Sequence, residues 1–104
     1  MRDALDPDED HRMATHLFLI ERFWPGVTPA RANAATARLG RVAKCLDADG
    51  IGVRHLRSAL LPADEVVWTV VEAGSRAAVI AVTERASYPV DRISETIPVG
   101  GRRR

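Results

Sequence analysis

The order of segments in this chain predicts an α+β fold, a ferredoxin-like βαββαβ domain with a four-stranded antiparallel sheet and two helices on one face. Two segments, residues 16–24 and 66–73, are apolar on both alternating faces, which is typical of central strands. A long segment between them repeats apolar residues at spacings of three and four, as a helix packed on one side does. Right-handed crossovers would then place both helices on the same face of the sheet.

The first half of the domain reads as a strand followed by a helix. Pro25-Gly26 ends the strand of residues 16–24. Thr28 and Pro29 predict the N-cap and first turn of the helix, and Asp49-Gly50 predicts its end. The expected apolar stripe of this helix consists of Ala32, Ala35, Leu39, Val42 and Leu46.

The second half begins with a predicted hairpin. Residues 53–61 alternate in polarity, a turn follows at residues 62–65, and the strand of residues 66–73 completes the pair. Alternation places one set of side chains on a common face of the first strand: Val53, His55, Arg57 and Ala59.

A second helix and a last strand complete the domain. Ser75 predicts the cap of a helix over residues 76–86, and residues 91–99 predict the strand. The apolar face of the helix is assigned to Ala77, Val79, Ile80 and Ala81. One face of the strand is assigned to Ile93, Ile97 and Val99.

Composition indicates a single globular domain. The chain has 104 residues, of which 46% are hydrophobic and 28% are charged. A formal net charge of +1 provides no strong field for nucleic acid or for a membrane, and we expect neither as a partner. The single cysteine, Cys45, excludes a disulfide within the chain, and no apolar run is long enough for a membrane span. A cytoplasmic location is the expectation.

The chain divides into three expected parts. Residues 1–13 form a mobile N-terminal extension, residues 14–99 form the ferredoxin-like domain, and residues 100–104 form a basic tail in solvent. Met13 directly precedes the first strand and is a second candidate for the natural start, beside Met1.

One face of the predicted sheet lacks a cover. The central strands carry large apolar side chains on both faces, whereas the two helices can pack on only one. A large uncovered apolar patch usually marks an interface. We therefore expect a homodimer that pairs sheet face with sheet face about a two-fold axis, in the manner of a dimeric α+β barrel.

The candidate functional residues are ionisable side chains inside strands. Glu21 interrupts the apolar first strand, so it would pair with Arg57 or Arg92 on a neighbouring strand, or serve as a ligand or general base. His16 and His55 are the imidazoles within the domain, and neutral imidazole binds nickel, copper and zinc. A solvated or structural role is the simpler interpretation of both.

Other reactive residues provide weaker signals. Cys45 lies beside the apolar stripe of the first helix, so we expect buried, inert packing. Arg22 would pair with Asp91 or Glu95, because the βαββαβ order sets the last strand beside the first. The sequence contains no Ser-His-Asp order, Gly-rich phosphate loop, CxxC or HExxH, so catalytic residues cannot be assigned.

Several segments together resemble a family of small bacterial domains of unassigned function, typified by a Streptomyces nickel-binding protein of ferredoxin-like fold. The similarity extends from about Thr15 to Val99. It rests on residues 18–22 with 25–26, 53–58, 62–65, 71–73 and 88–95.

The resemblance implies the ferredoxin-like fold, a dimer and bound nickel. Many relatives carry cysteines in the second central strand, where Val67 and Thr69 stand here. Neither residue offers a thiolate, so a metal site in this chain would be built from His55, Glu21 and His16.

Two functional hypotheses follow. The preferred one is a small dimeric binding protein that holds a transition metal such as nickel, or a small ligand. The alternative is a dimeric α+β barrel enzyme, similar to a small monooxygenase or cyclase, that acts on an aromatic substrate. Its cavity would lie between sheet and helices and be lined by Phe18 and Trp68.

Overall fold

The computed structural model describes residues 15–100, so the predicted extension and the arginines of the basic tail lie outside the described residues. The elements follow the predicted βαββαβ order. They are β1 (His16–Phe23), α1 (Pro29–Ala48), β2 (Val53–Leu61), β3 (Val66–Ala73), α2 (Arg76–Arg85) and β4 (Arg92–Thr96).

The sheet is four-stranded, with the order β2-β3-β1-β4. Every neighbouring pair is antiparallel, and β1 and β3 are central, as their two-sided apolar character predicts. Ile20 of β1 is opposite Thr69 of β3 on one side and Ile93 of β4 on the other. The ferredoxin-like fold is therefore confirmed.

The core lies between the sheet and the two helices. Phe18, Ile20 and Val71 point from the central strands into this layer and are at most 3% exposed. They join one buried cluster with Leu39 of α1 and Val79 of α2, both of which are fully buried. This face of the sheet is called the covered face below, and the opposite face is called the open face.

Both helices begin at the predicted caps. Thr28 Oγ1 accepts a hydrogen bond from the backbone N–H of Arg31, and Ser75 Oγ accepts one from the N–H of Ala78. The helix α1 ends before Gly50, whose φ of 95° lies in the region that favours glycine.

The predicted apolar face of α2 was wrong in part. The buried side chains are Ala78, Val79, Val82 and Thr83, whereas Ala77 and Ile80 are exposed. Val79 and Val82 lie three residues apart on one side of the helix, so turning this side toward the sheet buries both valines and leaves Ile80 39% exposed.

Two strand predictions also need correction. A β-bulge interrupts β2 between His55 and Arg57, so Arg57 faces away from the helices while His55 faces them. The strand β4 ends at Thr96, which leaves Ile97 and Val99 in solvent at 78% and 85% exposure. The strand β1 likewise ends at Phe23, one residue earlier than predicted.

The open face is apolar in its middle. Trp68 and Phe23 are 41% and 55% exposed, and Leu19 and Val70 lie opposite each other beside them, half-buried. Within residues 15–100, no helix is long and apolar enough to cross a bilayer.

Candidate functional site

A large groove lies between α1 and β2. Its volume is about 720 Å³, and it is open to solvent. Small residues of α1 form one wall and the start of β2 forms the other. The polar and charged residues that line it are Asn33, Thr36, Arg41, Lys44, Asp47, Arg54 and His55.

A chain of hydrogen bonds connects the groove with the interior. His55 Nε2 lies 3.0 Å from Ser58 Oγ, which lies 2.8 Å from Thr69 Oγ1. Thr69 Oγ1 in turn lies 3.3 Å from the hydroxyl of Tyr88. We call these four residues the polar chain. It crosses the covered face of β2 and β3 within an otherwise apolar layer.

The β-bulge makes this chain possible. Residues three apart on a regular strand point to opposite faces, so His55 and Ser58 would not normally share one. The extra residue at the bulge shifts the alternation and turns both side chains toward the helices.

The direction of the polar chain follows from its buried end. Tyr88 is 3% exposed, and Thr69 Oγ1 is the acceptor that its hydroxyl reaches within residues 15–100. A buried hydroxyl that does not donate costs free energy, so Tyr88 donates to Thr69. The three distances allow donation in either direction, and continuing the direction set by Tyr88 makes Thr69 the donor to Ser58 and Ser58 the donor to His55 Nε2. In this direction the ring proton of a neutral His55 is on Nδ1.

Gly40 of α1 leaves the space beside His55 Nδ1 free. A Cβ atom at this position would lie 3.4 Å from Nδ1. Glycine in the middle of a helix costs about 1 kcal/mol of stability relative to alanine, so Gly40 destabilises α1. The same glycine keeps the Nδ1 side of the His55 ring accessible from the groove.

Burial lowers the pKa of His55 below its ordinary value of 6.5. The imidazole is therefore neutral at physiological pH, with one donor and one acceptor nitrogen. Arg41 and Lys44 line the same groove with a single carboxylate, Asp47, and Arg54, which also lines it, pairs with Glu72. The groove thus offers a neutral N–H donor at its wall within a net positive field.

The three candidate metal ligands do not converge in one chain. His55 lies in the groove, Glu21 lies on the open face, and His16 lies at the start of β1. Glu21 Oε2 is 3.9 Å from Arg92 Nε, and His16 Nδ1 is 2.8 Å from Glu95 Oε2. No group of three or more His, Cys, Asp or Glu side chains that could hold an ion occurs in the part of the chain that the structure describes.

Of the predicted charge pairs, only one forms. Glu21 pairs with Arg92 across β1 and β4, as one of the two predicted partners. Arg22 pairs with neither Asp91 nor Glu95, because its guanidinium stacks 3.6 Å from the ring centroid of Trp24. Asp91 instead accepts a hydrogen bond of 2.6 Å from the N–H of Phe23.

Two further expectations fail. Cys45 is exposed, because Ala43 and Leu46 take the buried positions on either side of it. Phe18 and Trp68 lie on opposite faces of the sheet, so they do not line one cavity. The aromatic pocket expected for the enzyme alternative is therefore absent from those two positions.

Sequence reasoning identified His55 but missed Ser58, Thr69, Tyr88 and Gly40. Two signals were available: a glycine inside a strong helix pattern, and a threonine in the middle of a buried strand. The bulge that aligns Ser58 with His55 has no clear mark in the residue pattern, since an uninterrupted alternation fits residues 53–61 equally well.

Comparison with known proteins supports the fold but does not identify a function. No protein-family model and no curated protein matches the chain. The chain is similar to the crystal structure of SCO4226 from Streptomyces coelicolor A3(2), with a TM-score of 0.68 and 26% sequence identity. The match covers 82% of this chain and 99% of that one, so the neighbour is a whole small domain with the same α+β fold.

Proposed function

We propose that this chain is a small dimeric binding protein whose α1–β2 groove holds a small organic acid. The observation that carries the proposal is the polar chain, which runs from buried Tyr88 to His55 Nε2 and, with Tyr88 as the first donor, leaves the ring proton of His55 on Nδ1 beside Gly40. An N–H donor at the wall of a groove pairs with a carboxylate or carbonyl oxygen of a ligand.

The charges around the groove support an acidic ligand. Arg41 and Lys44 outnumber the one carboxylate, Asp47, even without Arg54, which pairs with Glu72. These cations attract an anion, and arginine holds a carboxylate in a two-point geometry. The small side chains of Ala37, Ala43 and Val53 leave room beside them for an apolar body.

The dimer part of the proposal rests on the open face. Trp68 and Phe23 expose large aromatic surface on this face, which also carries the Glu21–Arg92 pair across β1 and β4 and the Arg54–Glu72 pair, 3.7 Å apart, across β2 and β3. A second copy is the occupant that fits this surface best. Two-fold pairing would set the aromatic side chains of one copy against those of the other and bring their charged pairs together.

Nickel stays a prediction from the resemblance. The described residues of one copy do not supply a converging donor set, and His55 Nε2 is already within hydrogen-bond distance of Ser58 Oγ. Calorimetric titration of the purified protein with nickel is the test. Binding tighter than about 10 μM that is lost on replacing His55 and Glu21 would support it.

The groove is tested by titrating the protein with small carboxylic acids and their matched amides, while the amide and ring resonances are followed by NMR. We expect the acids to shift His55 and the residues of α1 that line the groove, with the amides binding more weakly. Gly40→Ala sets a methyl group against Nδ1 and should weaken binding at least about tenfold, while stabilising the helix. Acid binding that Gly40→Ala leaves unchanged would contradict the proposal.

A further inference from the structure

A second site, separate from the groove, lies on the other side of α1. A pocket of about 280 Å³ is lined by Arg22, Trp24, Arg31, Ala34, Ala35 and Arg38. It contains three guanidinium groups and, among the described residues, no carboxylate lines it. None of its residues is part of the groove.

The geometry of α1 concentrates the charge. Arg31 and Arg38 are two helical turns apart and therefore lie on one side of the helix, with Ala34 and Ala35 between them. The alanines keep the space between the two long side chains open. Arg22 approaches the same space from the end of β1, where it faces the helices.

One nitrogen of the Arg22 guanidinium is buried without a hydrogen-bond acceptor in the described part of the chain. Its Nη1 atom is buried and has no hydrogen-bond partner among residues 15–100. The guanidinium lies 3.6 Å from the ring centroid of Trp24 and 4.8 Å from that of Tyr88. Aromatic faces attract the charge, but they do not replace an oxygen acceptor for a buried N–H.

We infer that this pocket binds a phosphate group, either as free phosphate or on a small phosphate ester. A dianionic tetrahedral oxyanion offers several acceptor oxygens to three guanidinium groups, which bind phosphate in two-point geometry. The Trp24 ring, which Arg31 also approaches at 5.4 Å, borders the same space and can contact an aromatic ester group.

The test uses the two tryptophan side chains as reporters. Inorganic phosphate, phenyl phosphate and benzoate are titrated into the full chain, and the indole N–H signals of Trp24 and Trp68 are followed by NMR. Phosphate should shift Trp24 and leave Trp68 unchanged, because Trp68 lies on the open face. If phenyl phosphate binds more tightly than inorganic phosphate, the ligand is assigned as a phosphate ester. If it binds equally or more weakly, the ligand is assigned as free phosphate.

Substitutions then locate the site. Arg31→Gln changes an exposed side chain and should leave the fold intact, whereas Arg38→Gln also removes the hydrogen bond from Arg38 Nε to the Ala86 carbonyl, so its stability is measured beside its binding. Each should weaken phosphate binding roughly tenfold. Arg41→Gln, on the groove side of the same helix, should change it less than about twofold. No shift of Trp24 at about 10 mM phosphate, a shift of Trp24 that benzoate produces at lower concentration than either phosphate compound, or an equal loss in Arg41→Gln would overturn the inference. The groove proposal would be unaffected by any of these results.

Discussion

The covered and open faces of the sheet are built on the same two central strands but carry different chemistry. On the covered face, Thr69 lies among apolar side chains, and every hydroxyl of the polar chain has a partner. On the open face, Trp68 lies directly beside Glu21 on the central strands, and the arginines that pair with Glu21 and Glu72 lie on the edge strands β4 and β2. In the proposed function the two faces have different roles: the covered face would hold a ligand-binding group in place, and the open face would contact a second copy.

The largest expected effect is on the covered face. Leu39 is fully buried in the core, and Leu39→Ala should cost about 2–5 kcal/mol of unfolding free energy because it leaves a cavity. Trp68→Ala should cost clearly less at protein concentrations where the chain is monomeric. Urea denaturation of both variants measures their unfolding free energies. Equal losses of unfolding free energy would show that the two faces do not differ in their contribution to stability.

The open face is tested by charge insertion. Trp68→Glu places a carboxylate in the middle of the proposed interface and should convert the dimer to a monomer, since an unpaired buried charge is costly. Ile80→Glu changes a similarly exposed residue on α2 and is the matched control, which should stay dimeric. Sedimentation velocity reports both. A wild-type chain that is monomeric throughout would refute the interface.

The polar chain is tested by a double-mutant cycle. Thr69→Val leaves the Tyr88 hydroxyl without its acceptor and should cost about 1–3 kcal/mol. Tyr88→Phe removes that stranded hydroxyl, so the double variant should cost less than the sum of the two single variants. Simple additivity, measured by denaturation, would show that Thr69 and Tyr88 are not coupled.

The smallest expected effect is on pH dependence. Because burial lowers the pKa of His55, the unfolded chain takes up this proton at a higher pH than the folded chain does. The folded state therefore loses stability as the pH falls below about 6.5, the pKa in the unfolded chain. His55→Gln should lose less unfolding free energy than the wild type between about pH 7.5 and pH 5.5. An unchanged pH slope would count against a buried neutral imidazole.

The sequence predicts the architecture well and the site poorly, for a physical reason. Local sequence directly indicates the helix caps at Thr28 and Ser75 and the two-sided apolar pattern of β3. The strand order then follows from the order of helices and strands along the chain. The polar chain depends on one extra residue in β2, which changes the face of everything after it. The charge partners of Glu21 followed from strand order, whereas those of Arg22 depended on competition with an aromatic ring, which spacing does not encode.

The position of the proton on His55 tests the central claim most directly. A long-range proton–nitrogen correlation spectrum of the imidazole, recorded at slightly alkaline pH, distinguishes the two tautomers. The hydrogen-bond direction from Tyr88 through Thr69 and Ser58 predicts that Nδ1 carries the proton and that Nε2 is the acceptor. A spectrum with the proton on Nε2 would mean that the hydrogen bonds of the polar chain run in the opposite direction. It would contradict the proposal that the groove binds an acid.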